Sequence, residues 1–210
     1  MTSSGVFIMS KTYSTQKALD IFRQHNGQLR TSEALRLGIH PATLYALRDA
    51  GELDQIGRGL YRLADLPPLS NPDLVVVARK IPQAVICLIS ALAFHELTLQ
   101  IPHVVDIALA SHTERSILKQ PPIRVYWYSG LAFTEGVEVH QIDAVPVKIY
   151  GPEKSLADAF KYRNKIGLDV ALEALKFFRK RPTFNADKLL HYARICRVEK
   201  IMRPYLEALA

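Results

Sequence analysis

Apolar positions in the first third of the chain come in short bursts at helical spacing, each closed by a glycine. Ala18, Leu19, Ile21 and Phe22 form a stripe that predicts a helix over Thr15–His25, and Asn26-Gly27 supplies a left-handed stop. Ala34, Leu35 and Leu37 predict a second, shorter helix with those side chains turned inward, capped by Thr31 or Ser32 and closed at Gly38. A third helix is expected over Ala42–Ala50, with Pro41 in its first turn, where a missing N–H does no harm, and Gly51 at its end. Two short helices joined by a tight glycine turn are the helix-turn-helix pattern. The period then switches to that of strands: Leu53–Ile56 and Leu60–Leu63 flank Gly57-Arg58-Gly59 and predict a β-hairpin with an arginine at its tip, the wing of a winged helix. Pro67, Pro68 and Pro72 break the pattern and set a boundary between a domain at 12–66 and a second at 72–210.

The second domain reads as α+β, a mixed sheet followed by a helical C-terminal half. A helix over Asp73–Lys80 and an apolar segment, Ala84–Leu97, precede four strand-like runs: Val104–Ala110, Ile123–Tyr128, Val137–Ile142 and Val145–Tyr150. Gly151-Pro152 opens a helix with Leu156, Ala159 and Phe160 on one face, and helices are expected over Leu168–Lys180, Ala186–Ile195 and Val198–Leu209.

Composition narrows the class. With 49% apolar and 22% charged residues, the chain has the makings of a globular core and not those of a disordered or coiled-coil protein. The net charge of +7 is unevenly placed: +2 over residues 1–66, −2 over 67–147 and +7 over 148–210. A concentrated basic region fits a nucleic acid or an acidic protein. Cys87 and Cys196 stand far apart without a CxxC pair, so buried thiols in a reducing compartment are expected, not disulfides or zinc. The N-terminus has a short apolar stretch without a basic region ahead of it, unlike a signal peptide. The longest nearly apolar run, Ala84–Phe94, is about half of the roughly 20 residues that span a bilayer. A soluble, cytoplasmic protein with no membrane partner is expected.

At ~100° per residue, the third helix puts Leu44, Leu47 and Arg48 on one side and Ala42, Tyr45, Ala46 and Asp49 on the other. Its N-terminal turn and Tyr45 face are therefore placed to meet a major groove, with His40, Thr43 and Tyr45 contacting bases or phosphates. Arg48 lies nearer the protein, where it holds a phosphate or braces the wing. Arg58 at the wing tip suits a minor groove or backbone contact, Arg62 on the same hairpin is a further DNA-contact candidate, and Arg30, Thr31 and Ser32 sit where a helix start meets phosphate. Because Arg48 and Asp49 cancel, a winged helix used for protein contacts is the other reading. In the C-terminal half, Lys161, Arg163 and Lys165 end one helix and Lys176, Arg179, Lys180 and Arg181 the next; they complement helix dipoles or form a phosphate-binding surface. Enzyme motifs are missing: the seven histidines fall in no HExxH, and there is no phosphate loop and no GxSxG. Asp106, Glu138 and Lys148 imitate a nuclease set, but the acid-x-Lys spacing fails because position 140 is His. No catalytic residue, metal or cofactor is expected.

Two stretches carry a resemblance. Gly38-Ile39-His40-Pro41-x-Thr43-Leu44-Tyr45-x-Leu47-Arg48-Asp49-x-Gly51-Glu52-Leu53, with Arg58-Gly59-Leu60-Tyr61-Arg62-Leu63, resembles the N-terminal winged helix of AbiEi-type antitoxins. Glu153-Lys154-Ser155-Leu156-Ala157-Asp158-Ala159-Phe160-Lys161-Tyr162-Arg163-Asn164-Lys165-Ile166-Gly167-Leu168-Asp169 is similar to that family's C-terminal motif, with Ser155 where Thr is commoner. The resemblance runs from about Tyr13 onward. It implies an antitoxin of a type IV toxin–antitoxin, or abortive infection (anti-phage), system with two activities. The winged helix would bind inverted repeats in double-stranded DNA of its own promoter and repress the operon, through His40, Thr43, Tyr45 and Arg58. The C-terminal domain would counteract a cognate AbiEii-like nucleotidyltransferase toxin without a stable complex. The motif residues Lys154, Asp158, Lys161, Arg163 and Lys165 would take part in that role. A stand-alone repressor with a ligand-sensing second domain, and a winged helix fused to a nuclease-like domain, are the competing readings.

Overall fold

A computed structural model describes residues 3–114 and 118–208, with side chains described from Ser14. The chain divides into two compact units, Met1–Pro72 and Asp73–Ala210.

In the first unit, α1 (Ser3–Gln24) extends well ahead of the stripe that predicts it and buries Ala18 and Phe22, one helical turn apart. It stops at Asn26 and Gly27, both at positive φ, where the Phe22 carbonyl accepts the N–H groups of His25 and Gly27. A side chain at Gly27 would strike Leu66, with Cβ only 2.4 Å from that residue's Cδ1. A short strand the pattern does not announce follows, β1 (Gln28–Arg30), and leads into α2 (Thr31–Arg36). The α2 cap is Arg30, not Thr31 or Ser32: the Arg30 N–H donates to the Glu33 carboxylate at 2.7 Å. So short a helix offers the core little. Ala34 alone is buried from it, while Leu35 (44% exposed) and Leu37 (39%) face solvent, against expectation. Ile39, beyond the Gly38 turn, takes their place in the core.

Next, α3 (Pro41–Asp49) packs Leu44 and Leu47 inward. The hairpin β2 (Leu53–Gly57) and β3 (Leu60–Leu63) completes an antiparallel sheet in the order β1-β3-β2, with Gln28 opposite Arg62 and Leu53 opposite Leu63. Ala18, Phe22, Leu29, Ala34, Ile39, Leu44, Leu47, Leu53, Tyr61 and Leu63 form this unit's own core.

The second unit opens with α4 (Pro72–Lys80), which buries Leu74–Val77. The apolar segment Ala84–Leu97 resolves into a two-residue strand, β4 (Val85–Ile86), and α5 (Leu88–Phe94). Then come β5 (Val105–Ala110), β6 (Ile123–Tyr128), a helical turn α6 (Leu131–Thr134), β7 (Val137–Ile142) and β8 (Val145–Tyr150). The sheet is mixed, in the order β6-β5-β4-β8-β7. β4 lies at its centre although it is the shortest strand, since Ile86 pairs with both Ile107 and Ile149.

A helical layer follows: α7 (Pro152–Lys161), α8 (Arg163–Ile166), α9 (Leu168–Arg179), α10 (Ala186–Ile195) and α11 (Glu199–Ala208). Leu209, expected to end the last helix, lies outside the described residues. Central to this layer is α7, which packs on α5, α9, α10 and α11. It is buried all round from Glu153 to Phe160, not only along the Leu156–Phe160 face. Leu156, Phe160, Leu175, Phe178, Leu189 and Met202 interlock in the resulting core, each such side chain contributing about 1.5–3 kcal/mol of transfer free energy.

Candidate nucleic-acid interface

The start of α3 is built by its own sequence. His40 is the N-cap, in extended conformation, and its Nδ1 accepts the Ala42 N–H at 3.2 Å; Pro41 occupies the next position. The second ring nitrogen of His40 is left pointing away from the cap on an exposed residue. Leu44 and Leu47 anchor the inner side, and Tyr45, 46% exposed, projects from the outer one. Thr43 is half-buried, its hydroxyl 3.4 Å from that of Ser14 on α1, so it ties two helices together. Arg48 stacks over the Tyr45 ring, 5.3 Å from its centroid, and donates to the Asp49 carboxylate at 2.7 and 2.9 Å. The ring and the guanidinium thus form one unit whose positive charge Asp49 partly offsets.

Arg58 is exposed at the hairpin turn beside Gly59. That turn folds onto the start of α2: the Thr31 N–H donates to the Gly59 carbonyl at 3.0 Å, and a Cβ at Gly59 would sit 3.0 Å from the Thr31 hydroxyl. Ser32 is exposed and Arg30 half-buried beside them. Arg30, Thr31, Ser32 and Arg58 are therefore neighbours, as are Tyr45 and Arg48, with His40 exposed at the start of the same helix. Arg62 is not among them. Its side chain is buried, 7% exposed, and its guanidinium donates to the carbonyls of Leu66 and Pro67. Strand alternation treats an arginine there as outward; here it satisfies carbonyls of the proline-rich segment that closes the unit.

The motif of the second unit splits into two groups. Lys154 and Asp158 are wholly buried and paired, Nζ to Oδ2, at 2.5 Å. Cys196 donates its thiol to the other Asp158 oxygen at 3.2 Å, and the Tyr150 ring lies 4.0 Å from the Lys154 ammonium. Burial raises the Asp158 pKa, and Lys154 opposes that shift. Lys161 and Lys165 are exposed. Their ammonium groups stand 5.4 Å from the Tyr128 ring and 5.9 Å from the Tyr126 ring, and both face Tyr162. Arg163 caps the end of α7, donating to the Phe160 carbonyl at 2.9 Å. The sequence gives no warning of this tyrosine ledge, because its rings come from β6 and from the turn after α7.

The nuclease-like set does not assemble. Lys148 lies opposite Val139, so it points from the sheet face away from Glu138, and its ammonium donates to the Pro82 carbonyl at 3.2 Å. Asp106 lies two strands from β8 and has Arg124 3.7 Å away. Among the described residues, no helix is long and apolar enough to cross a membrane.

Residues 16–64 match the family described as "Transcriptional regulator, AbiEi antitoxin", and over that segment the resemblance read from the sequence holds. Among solved structures, the chain is similar to the crystal structure of RV2827C protein from Mycobacterium tuberculosis, with a TM-score of 0.56 and 15% identity over 93% of this chain and 81% of that one. At that identity the likeness is one of fold. No curated protein matches the sequence.

Proposed function

We propose that the protein is an autoregulating antitoxin. A winged helix-turn-helix at 12–66 reads inverted repeats in its own promoter and represses the operon. A domain at 72–210 counteracts a nucleotidyltransferase-like toxin of an abortive infection system. One observation carries the DNA-reading half: in a segment that matches a transcriptional-regulator family, α3 buries Leu44 and Leu47 and leaves the His40–Tyr45 face in solvent. The element order, helix, strand, two helices and a hairpin, supports the winged-helix assignment.

In this reading α3 enters the major groove by its N-terminal turn. His40 and Tyr45 meet base edges, and Arg48 meets a phosphate across the Tyr45 ring. Arg58 at the wing, with Ser32 and Thr31 at the start of α2, holds the flanking backbone. Arg62 serves the fold beneath them. One such module covers a half-site, so inverted repeats engage two copies. DNA in the cytoplasm is the partner, and neither a catalytic residue nor a cofactor is needed. The antitoxin half rests on the Glu153–Asp169 motif and on the exposed cations Lys161 and Lys165 standing over tyrosines.

The test is binding of the purified protein to its own upstream DNA and to a scrambled duplex at two salt concentrations. Specific binding that falls steeply with salt is expected. Tyr45→Ala and Arg58→Ala should each weaken it by about 1–3 kcal/mol, roughly 5- to 150-fold, and Arg58→Ala should also lower the salt slope by about one. Equal, weak binding to both duplexes would overturn the assignment and leave a protein-contact module.

A further inference from the structure

The end of α5 and the edge strand β7 bring together three side chains that the sequence keeps apart. His95 follows α5 as its C-cap, and Glu138 and His140 project from one face of β7, two residues apart. One nitrogen of each histidine and one carboxylate oxygen lie within 4.8 Å of one another. We propose that His95, Glu138 and His140 bind a divalent cation of the zinc class.

The donor set is the first argument: two imidazoles and a carboxylate, with a fourth position open, is a zinc-type ligand set and not one for magnesium or calcium. The second is orientation. His95 Nε2 lies 2.8 Å from the Tyr150 carbonyl, which can only accept, so this nitrogen carries the proton and Nδ1 keeps its lone pair. Ligating histidines are commonly held in this way, by donation of the other ring N–H to a carbonyl. The third is the cradle. Glu138 rests against Gly151, where a Cβ would come within 2.5 Å of Oε1, so only glycine lets the carboxylate lie there. The Phe94 ring packs edge-on against both imidazoles, with centroids 5.2 Å from His95 and 4.8 Å from His140, and shields one side.

His140 Nε2 and Glu138 Oε2 are 3.2 Å apart, close to the ~3.3 Å that tetrahedral zinc with bonds near 2.0–2.1 Å requires. The His95 nitrogen, within 4.8 Å of both, has to draw closer to complete the site. A bound ion would clip α5 to the edge of the sheet across β8, with its open position holding water or an oxyanion.

The experiment uses the full chain, stripped with chelator and titrated with Zn2+ against a chromophoric competitor, then with Co2+ for its visible spectrum. One Zn2+ per chain is expected, together with the intense Co2+ bands of a four- or five-coordinate site. His140→Ala should weaken binding at least about tenfold, and so should Glu138→Gln, a near-isosteric change that tests the site even if His140→Ala misfolds. His191→Ala, at an exposed position of α10, should bind as the parent does. Absence of saturable binding, or affinity unchanged in folded Glu138→Gln and His140→Ala, overturns the site.

Discussion

Two helices, α3 inside the segment that matches a family and α7 outside it, treat charge in opposite ways. On α3 the apolar residues Leu44 and Leu47 are buried and the polar ones reach solvent, so Arg48 and Asp49 pair at the surface, where their side chains are 38% and 64% exposed. On α7 the polar residues from Glu153 to Asp158 are buried with the apolar ones, and Lys154 and Asp158 pair without any exposure. A motif of charged residues is thus a surface in one unit and partly a core in the other. Exposed pairs contribute little to stability. A buried pair has lost its hydration, so each member depends on the other.

The largest effect should come from breaking the buried pair. Lys154→Ala leaves the Asp158 carboxylate with only the Cys196 thiol as a partner among the bonds described, and opens a cavity between Tyr150 and Tyr128. A loss of about 3–5 kcal/mol is expected in urea unfolding. The double change Lys154→Met with Asp158→Leu should lose much less, because no charge is stranded. A loss below about 1 kcal/mol for Lys154→Ala would show that α7 does not rely on the pair.

Asp106 sharpens the contrast, as a buried acid whose cation stands too far off for a hydrogen bond. Burial pushes its pKa from 3.8 up to about 6, against the weaker pull of Arg124 at 3.7 Å. As pH rises, the unfolded chain gives up this proton first. The stabilising contribution is therefore complete below about pH 4 and is lost as pH climbs through about 6. At pH 7 the charged carboxylate costs about 3 kcal/mol, at roughly 1.4 kcal/mol per pH unit. Asp106→Asn should recover about 2–3 kcal/mol at pH 7 and flatten the stability profile between pH 4 and 6. A profile that keeps its slope in this variant would assign the titration to another group.

How far each region is legible in the sequence follows the same division. Glycine stops and apolar stripes mark α1, α3 and the hairpin, because those elements are set by local periodicity and turn chemistry. β1 and β4 are too short to carry a period, and their place in a sheet depends on partners distant in the chain. Leu35 and Leu37 read as core residues only while α2 is taken to have a full inner face. At the candidate site, the exposure of His40 and Tyr45 follows from helical spacing. The burial of Arg62 does not, since it depends on carbonyls that a later proline-rich segment leaves open. For the same reason, nothing in the spacing of Glu153–Asp169 separates Lys154 from Lys161. One turns into a pocket of tyrosines, and the other stands above it.

That last separation sets the smallest expected effect on stability. Lys161 and Lys165 are exposed, with their ammonium groups 5.4 and 5.9 Å from the Tyr128 and Tyr126 rings. Lys161→Gln with Lys165→Gln should therefore shift unfolding by no more than about 0.5 kcal/mol. DNA affinity should also stay unchanged if α3 and the wing alone read the operator. Co-expression with the nucleotidyltransferase-like toxin proposed above is then the discriminating measurement. Loss of rescue by a stably folded, DNA-competent double variant would place the antitoxin contact on the tyrosine ledge. Full rescue would show that the exposed half of the motif is as dispensable for neutralisation as for folding, and would leave Lys154 and Asp158 as a purely architectural signature.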